Sequence, residues 1–353
     1  VTVTDNAVTL ALNQHVTCSI TNDDQTAHLT LVKTVINDNG GTAAATDWTL
    51  TATGPTPVTG VTGTPDVDQD VNAGTYTLSE SGGPAGYTAS AWVCLDAAGA
   101  PVTVTNSAVT LALAQHVTCT ITNDDTTAVM TLVKTVVNDH GGTAVATDFT
   151  LTAIGGTPAF TLTGAGGTSP TEVPAGTYAL SETTKPGYAA GTWSCSVTDS
   201  AGTVTTTTGA TVTVPLGSTV ICSIVNDDQP ASLSLAKTVV NDNGGTAVAA
   251  DFTLTAIGGT PSTTVTGAGS ATNPAVPAGT YTLSETSMPG YTAGTWSCAI
   301  TDAAGVQTTS AGTTVVVPNG GTVACSITND DHAATLVLDK ILTNDNGGTA
   351  TSD

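Results

Sequence analysis

Arginine is absent from this chain of 353 residues, and five lysines face 28 acidic side chains, for a net charge of −23. Without arginine and with so few lysines, the chain cannot form the basic stripe that neutralises phosphates, which argues against nucleic-acid binding. An anionic membrane surface would repel it too. No run of about 18 apolar residues occurs, so no membrane-inserting segment is expected, and residue 1 does not begin a signal peptide.

Aromatic residues are scarce at 4%, whereas apolar residues reach 39% and are mostly Val, Ala, Leu and Ile set among many threonines. This mixture favours β-sheet over helix. Charged residues make up only 9% of the chain, and apolar positions alternate throughout, so we expect it to fold.

The sequence repeats with a period of about one hundred residues. The segment 131–139 recurs almost unchanged at 234–242, and Tyr-Thr-Leu-Ser-Glu at 76–80 recurs at 281–285. Each copy closes on Asn-Asp-Asp, beginning at Asn22, Asn123, Asn226 and Asn329. We therefore predict repeat 1 (26–125), repeat 2 (126–228) and repeat 3 (229–331), with the C-terminal strands of a preceding repeat at 1–25 and the first strand of a following repeat at 332–353.

About seven short β-rich runs per repeat, separated by Gly, Pro, Asn and Asp clusters, predict an all-β fold of tandem Ig-like β-sandwiches. Linkers between repeats are almost absent, so an elongated rod is expected, cut from a longer array.

Three polar residues occupy positions that alternation assigns to the core. Four of the five lysines recur at one place in the opening strand, where Lys33 shares a face with Leu31 and Val35. Glutamates share a face with Tyr and Leu of the Tyr-x-Leu-x-Glu run, and Asn123 shares one with Cys119. A buried unpaired charge costs several kcal/mol, so something should neutralise each lysine.

These residues resemble the CnaB-type, or prealbumin-like (SpaA-like), repeat domains of Gram-positive surface adhesins and pilins. Leu-Ser-Glu followed by Pro-Gly-Tyr at 180–188 and 283–291 carries the resemblance, and 78–87 is a slightly longer version. In that family a first-strand Lys bonds to a last-strand Asn or Asp with help from the Glu. The resemblance implies isopeptide bonds Lys33–Asn123, Lys134–Asn226 and Lys237–Asn329, assisted by Glu80, Glu182 and Glu285.

Burial disfavours both charged side chains, so a neutral amine could attack the Asn carbonyl while a protonated Glu polarises its oxygen and ammonia leaves. Such a bond is self-modification and not enzyme activity. A buried Lys–Glu ion pair is the alternative, and the adjacent Asp124, Asp227 and Asp330 are alternative bonding partners, although alternation turns them outward.

Cysteines also follow the repeat, with one in a Trp-x-Cys pattern and the other on the closing strand. Two cysteines per repeat without a histidine pair argue against zinc and favour disulfides. The expected pairs are Cys94–Cys119, Cys195–Cys222 and Cys298–Cys325, with Cys18 left over. Paired cysteines indicate an oxidising exterior.

If the first and last strands run parallel, as a Lys–Asn bond between them suggests, the acidic loop after the first strand lies beside the acidic end of the repeat. Such oxygen-rich groups could bind calcium. Ordinary turn chemistry is the alternative, in which case no cofactor is required. The candidate ligands are Asp38, Asp124, Asp125, Asp139, Asp227, Asp228, Asp242, Asp330 and Asp331.

No catalytic nucleophile arrangement and no phosphate-binding loop before a helix is found in the sequence. The function predicted is therefore structural: an extracellular stalk or fibre segment of a bacterial surface protein. Its partners would be adjacent repeats of the same chain and, in filaments, other copies. The alternative is a calcium-rigidified adhesin repeat that binds a glycan, a matrix protein or a surface.

Overall fold

The structure is a computed structural model, and it describes residues 1–351. It divides into two compact units. The first contains residues 1–128 with 199–201 and 215–218, and so includes all of repeat 1; the second contains the other described residues. No helix in the described residues is long and apolar enough to cross a membrane.

Repeat 1 follows a small hairpin of β1 (Val3–Thr4) and β2 (Ala7–Val8). One of its sheets has the order β10-β9-β13-β3-β6, with β8 also paired to β13, and the other has the order β11-β12-β7-β4-β5. The strands are β3 (Ala27–Ile36), β4 (Trp48–Thr53), β5 (Val58–Gly60), β6 (Asp68–Val71), β7 (Gly74–Gly82), β8 (Tyr87–Ala89), β9 (Val93–Asp96), β10 (Pro101–Val102), β11 (Val104–Thr105), β12 (Ala108–Leu111) and β13 (His116–Asp125).

Repeat 2 has the same plan, with one sheet of order β17-β14-β23-β20-β21 plus β19 on β23, and a second of order β16-β15-β18-β22. Its strands are β14 (Ala128–Val137), β15 (Thr150–Gly155), β16 (Phe160–Ala165), β17 (Thr171–Val173), β18 (Gly176–Glu182), β19 (Tyr188–Ala190), β20 (Ser194–Thr198), β21 (Val204–Thr208), β22 (Thr211–Val214) and β23 (Thr219–Asp228).

Repeat 3 matches repeat 2 strand for strand, with sheets of order β27-β24-β33-β30-β31 plus β29, and β26-β25-β28-β32. Its strands are β24 (Ala231–Val240), β25 (Thr253–Gly258), β26 (Thr263–Ala268), β27 (Ser270–Val276), β28 (Gly279–Glu285), β29 (Tyr291–Ala293), β30 (Ser297–Thr301), β31 (Gln307–Ala311), β32 (Thr314–Val317) and β33 (Thr322–Asp331). Four single-turn 3-10 helices complete the described elements, at Ala45–Asp47, Pro65–Val67, Ala146–Asp148 and Ala249–Asp251.

The core of each repeat lies between its two sheets. In repeat 1, Leu29 and Leu31 of β3 are buried in one cluster with Leu50 of β4 and Tyr76 of β7. Period-two alternation produces this arrangement, because every second side chain of a strand points to the same face. The all-β, tandem sandwich prediction is thereby confirmed.

The opening and closing strands of each repeat are parallel neighbours, as the sequence predicted. β3 pairs with β13, β14 with β23, and β24 with β33, and each ladder contains nine residue pairs. Lys33 lies opposite Ile121, and Val35 lies opposite Asn123. This register determines which polar side chains meet inside the repeat.

Outside the three repeats, the chain forms little regular structure. The segments around Cys18 and Lys340 carry the closing-strand and opening-strand patterns, yet no strand forms at 9–26 or 332–351. In each repeat an opening strand pairs with a closing strand 88 to 90 residues away, and these two segments have no such neighbour. Their assignment to adjoining repeats stays a prediction.

Candidate isopeptide site

Each repeat buries the lysine that strand alternation assigned to its core. The side chains of Lys33, Lys134 and Lys237 are fully shielded from solvent. In repeat 1, Lys33 takes the next inward position after the buried Leu29 and Leu31. The hydrophobic pattern of the opening strand therefore forces a cationic side chain inside.

A glutamate carboxylate contacts each buried amine. The Nζ–Oε2 distance is 2.7 Å for Lys33–Glu80, 2.7 Å for Lys134–Glu182 and 2.5 Å for Lys237–Glu285. The glutamates come from β7, β18 and β28 in the second sheet, so the pair bridges the two layers. Lys and Glu are thus brought together as the sequence predicted.

An aromatic ring covers each amine at the start of the second sheet. Nζ lies 4.8 Å from the ring centroid of Trp48, 4.6 Å from Phe149 and 4.5 Å from Phe252. A cation at this distance is attracted by the ring face, while the ring keeps water away. Sequence reasoning missed these rings; the signal was an aromatic residue at one place in every repeat.

The closing strand supplies a buried asparagine on the same inner face. Asn123, Asn226 and Asn329 are 2–3% exposed. Each lies two residues beyond the partner of the lysine in the parallel ladder, at Ile121, Ile224 and Ile327. Strand spacing and rise place such a diagonal pair of Cα atoms about 8 Å apart, which a lysine side chain can span.

The buried polar atoms of this group are not all satisfied. Oδ1 of each of the three asparagines is buried without a hydrogen-bond partner, and so are Oε1 of Glu182 and Oε1 of Glu285. An unmade hydrogen bond at a buried group costs about 1–3 kcal/mol, so each of these unpartnered oxygens is a destabilising feature of the pocket.

The neighbouring aspartates divide into two classes. Asp124, Asp227 and Asp330 are exposed, as alternation required, and do not face the lysines. The next aspartate turns inward again, so Asp125, Asp228 and Asp331 are buried. Only the asparagine of each Asn-Asp-Asp run therefore shares the inner face with the lysine at the required register.

Each buried aspartate clamps the loop after the opening strand. The carboxylate of Asp125 accepts hydrogen bonds from the backbone N–H groups of Asp38, Asn39 and Gly41, at 2.6–3.1 Å. Burial alone would raise the pKa of Asp125, but these backbone donors hold it below its usual range. Asp228 and Asp331 make the same contacts in their own repeats, with the same lowered pKa.

A tyrosine from the Pro-Gly-Tyr turn completes this clamp. The Tyr87 hydroxyl donates to Asn37 Oδ1 at 2.5 Å and accepts from the Ala43 backbone N–H at 3.0 Å. Its ring packs edge-on against Trp48, the residue that covers Lys33. The turn motif thereby connects the loop clamp to the lysine pocket, and Tyr188 and Tyr291 do the same.

The three predicted disulfides are present, one in each repeat. Cys94–Cys119, Cys195–Cys222 and Cys298–Cys325 each join directly opposed residues of neighbouring antiparallel strands. Each bond attaches the closing strand to the neighbour on the side away from the opening strand. Cys18 is free and exposed.

The candidate calcium ligands do come together, in three groups. Asp38 lies with Asp124 and Asp125, Asp242 with Asp330 and Asp331, and Asp139 with Asp227, Asp228 and His140. Partial desolvation and the neighbouring Asp125 and Asp124 raise the pKa of Asp38. The carboxylate oxygens of Asp125 already accept the backbone hydrogen bonds described above, a use that needs no metal. Calcium binding stays a prediction.

The remaining lysines differ from the buried three. Lys185 lies at the surface with its amine 3.3 Å from Asp148. Lys340 belongs to a segment without a strand and is exposed. Burial with Glu and Asn is therefore a property of the complete repeats.

Comparison with known proteins agrees with this description. The model of the prealbumin-like fold domain family SpaA_2 matches residues 24–121, 125–224 and 228–327. No curated protein matches the chain.

Solved structures with a similar chain course include the Bacillus anthracis TIE protein, at 15% identity and a TM-score of 0.48, covering 87% of this chain and 51% of that one. The chain thus spans about half the length of that structure. The Streptococcus pyogenes major pilin T-13 has 14% identity and a TM-score of 0.30, covering 59% and 97%. The C-terminal fragment of the pilus adhesin SpaC from Lactobacillus rhamnosus GG has 16% identity and a TM-score of 0.36, covering 59% and 99%.

Proposed function

Since the chain belongs to the prealbumin-like fold domain family, with three such domains in tandem and one disulfide in each, we propose that it is a force-resisting segment of an extracellular surface protein or fibre. Each repeat would be closed by its disulfide and by a self-formed Lys–Asn isopeptide bond. No substrate is turned over in this function.

One observation carries the isopeptide proposal: a buried Lys–Glu pair lies on the same inner face as a buried asparagine, two register positions away, whose carbonyl lacks a donor. A proton moved from the amine to the carboxylate of Glu182 or Glu285, through the Nζ–Oε2 contact, converts that carboxylate into a carboxylic acid whose O–H can donate. The same step makes the lysine a nucleophile. A single proton transfer thereby removes the buried charges and supplies the missing donor.

The reaction balances with these three groups alone. The Lys Nζ attacks Cγ of the asparagine, so an N–C bond forms and the Cγ–Nδ2 bond breaks. Of the three protons on the initial ammonium, one stays on the new amide, one leaves with Nδ2 as ammonia, and one rests on the glutamic acid. The product is an uncharged amide, which costs less to bury than an ion pair.

The position of the bond accounts for a mechanical role. Opening and closing strands are the first and last of each repeat and run parallel, so tension along the chain would shear one past the other. The isopeptide bond would join these two strands directly. The disulfide joins the closing strand to its other neighbour, so unravelling a repeat would require breaking a covalent bond.

The disulfides support the proposal of an extracellular location. Disulfides persist in oxidising surroundings and are rare in the cytosol. Each repeat has its own buried disulfide, and the net charge of −23 disfavours contact with nucleic acid and anionic membranes.

Peptide mapping tests the bond. We expect a protease digest of the reduced protein to contain branched peptides joining Lys134 to Asn226 and Lys237 to Asn329. Glu285→Gln should remove the branched peptide of repeat 3 alone, whereas Lys185→Ala, at the exposed lysine, should remove none. Linear peptides carrying an intact Lys237 and Asn329 in the wild-type protein would refute the proposal.

Single-molecule stretching tests the mechanical role. The protein is stretched with its disulfides reduced, because an intact Cys298–Cys325 bond would shorten any unfolding step of repeat 3. With its isopeptide bond formed, repeat 3 should then extend by no more than the chain outside residues 237–329. Lys237→Met should add one unfolding step with a length close to a whole repeat. A wild-type protein that unfolds at full repeat length under low force would contradict the role.

Calcium dependence is the alternative mode of stiffening. The acidic groups at the repeat ends favour calcium binding. The carboxylates of Asp125, Asp228 and Asp331, however, already accept backbone hydrogen bonds that form without a metal. We propose that no cofactor is required, so a chelator should leave the melting temperature unchanged. A clear drop that added calcium reverses would support the calcium-rigidified adhesin instead.

A further inference from the structure

A cluster of two histidines and two aspartates lies on the outer face of repeat 1, away from the lysine pocket. His28 is in the opening strand β3, His116 is in β13, and Asp68 and Asp70 are in the edge strand β6. The ladder places His28 opposite His116 on one side and opposite Asp70 on the other. Nothing in the proposed function uses these four side chains.

Both ring nitrogens of His28 face carboxylate oxygens. Nδ1 lies 2.9 Å from Asp70 Oδ1, and Nε2 lies 2.9 Å from Asp68 Oδ1. The Thr30 hydroxyl donates to the same Asp68 oxygen at 2.6 Å, which holds this carboxylate in place. The His116 ring stacks on His28 at a centroid distance of 5.2 Å.

A neutral imidazole has one N–H donor and one lone pair. In this geometry its lone pair would face a carboxylate oxygen, which repels it, whereas an imidazolium donates to both aspartates. We propose that protonated His28 is a pH-dependent clasp that fastens the edge strand β6 to the opening strand of repeat 1.

The clasp is specific to repeat 1. Counting along the opening strands, repeats 2 and 3 carry Val129 and Ser232 in place of His28, and along the closing strands they carry Thr219 and Thr322 in place of His116. In the edge strands, Glu172 and Ala275 replace Asp70. These two repeats therefore serve as internal controls without a clasp.

The groups that face His28 come from three strands. Asp68 and Asp70 come from β6, His116 comes from β13, and on its own strand the neighbouring outward side chain is the uncharged Thr30. Hydrogen bonds to Asp70 and then Asp68 raise the pKa of His28, and those from Thr30 and His28 lower that of Asp68.

The sign of the pH effect follows from these directions. Because the folded pKa of His28 is raised, its contribution is complete below the unfolded value of about 6.5 and is lost as the pH rises through the folded value. Because the folded pKa of Asp68 is lowered, its contribution is complete above about 3.9 and is lost as the pH falls through the folded value. The clasp is therefore closed in mildly acidic medium and loosens as the pH rises through the raised folded pKa of His28.

Strand β6 is the element that responds. It has four residues, lies at the end of its sheet and pairs only with β3, through four residue pairs. Short edge strands with few partners are among the first elements to open in native proteins. Loss of the His28 proton leaves one of the two β6 carboxylates facing the lone pair of the ring instead of a donor, while the other strands of the sheet keep their contacts.

Hydrogen–deuterium exchange of the full chain tests the clasp, with rates corrected for the intrinsic effect of pH. In the peptide that spans β6, we expect protection at about pH 5.5 to exceed that at about pH 8 by about threefold or more. His28→Val, the residue of repeat 2, should abolish this difference, and Asp70→Ala, the residue of repeat 3, should reduce it. Peptides spanning β17 and β27 should show no such difference.

His140→Asn is the matched control, because it removes a histidine that contacts aspartates in repeat 2 and should leave the β6 response unchanged. A histidine titration by NMR gives an independent readout, in which His28 should titrate above an ordinary histidine. The clasp is refuted if β6 protection has the same pH dependence in the wild type and His28→Val, or if His28 titrates at or below its ordinary value. Neither readout depends on whether the isopeptide bonds form.

Discussion

Repeat 1 differs from repeats 2 and 3 in the side chains that surround its buried lysine amine. Trp48 covers the amine in repeat 1, whereas Phe149 and Phe252 cover it in the others. The side chain of Glu80 is 14% exposed, against 7% for Glu182 and Glu285. Oε1 is buried without a partner only in the latter two. The chemistry of the pocket is thus constant, while its contact with solvent is not.

The larger ring of repeat 1 explains its different turn. Strand β7 continues to Gly82, which pairs with Trp48, and the chain then turns at Gly83 with φ of +78°. A Cβ atom at Gly83 would collide with the Trp48 ring. The extra glycines between Glu80 and Tyr87 therefore make room for the tryptophan ring. Repeats 2 and 3 have the smaller Phe149 and Phe252 at this place and a shorter turn.

The largest expected effect comes from removing the glutamate. Glu285→Ala prevents the bond and leaves Lys237 as an unpaired buried cation, so the opening free energy of β33 should fall by at least about 3–5 kcal/mol. Glu80→Ala should lower that of β13 by less, because the pocket of repeat 1 is closer to solvent. Hydrogen exchange of the two closing strands measures both. Glu172→Ala, at the exposed fourth glutamate, is the control, and equal losses in the two repeats would break the comparison.

Removing a disulfide should destabilise repeat 1 and repeat 3 by about the same amount. The bridged residues are 25 apart in repeat 1 and 27 apart in repeats 2 and 3, so the chain-entropy estimate is about 3.5 kcal/mol for each. We expect the double variant Cys94→Ala with Cys119→Ala to match Cys298→Ala with Cys325→Ala in protease resistance. A clear difference would indicate that the disulfides are coupled unequally to the lysine pockets.

A smaller effect is expected from the tyrosine hydroxyl of the clamp. Tyr87→Phe removes a donor to Asn37 and an acceptor for the Ala43 N–H, at a cost of about 1 kcal/mol. Tyr188→Phe removes the same two bonds in repeat 2 and should cost the same. Exchange rates of the loops at 37–43 and 138–144 report both changes. A loss confined to one repeat would show that the clamps are not equivalent.

The smallest effect should follow from making repeat 2 like its neighbours. His140→Asn restores the side chain that donates to the buried aspartate in repeats 1 and 3, as Asn39 and Asn243 do, while removing a contact with Asp139. We expect the melting temperature to change little, with stability within about 0.5 kcal/mol of the wild type. A large loss would assign His140 a structural role that the asparagine cannot fill.

Alternation and repetition were sufficient to predict the buried lysines, the glutamates on the facing strand, the asparagines and the disulfides, because period two decides which face a side chain takes. The same rule turned Asp124 outward. It could not identify the His28 cluster, because that requires knowing that residues 68–71, forty residues later, lie beside the opening strand as an edge. The rings over the amines were not predicted, because each ring lies on a different segment from its lysine and alternation along one strand does not reveal contacts between strands.

The terminal segments show the limit of pattern alone. Residues near Cys18 and Lys340 have the composition of closing and opening strands, yet they form no strand in the described chain. A strand is stabilised by its hydrogen-bonded neighbours, and neither segment has the parallel partner present in every repeat.

The intact mass of the reduced protein tests the central claim most directly. Each Lys–Asn bond lowers the mass by one ammonia, and reduction removes the mass difference that the disulfides cause. The account predicts a mass lower than that of the full sequence by three molecules of ammonia, and by two in Glu285→Gln. A reduced protein with the unmodified mass of its sequence would contradict it.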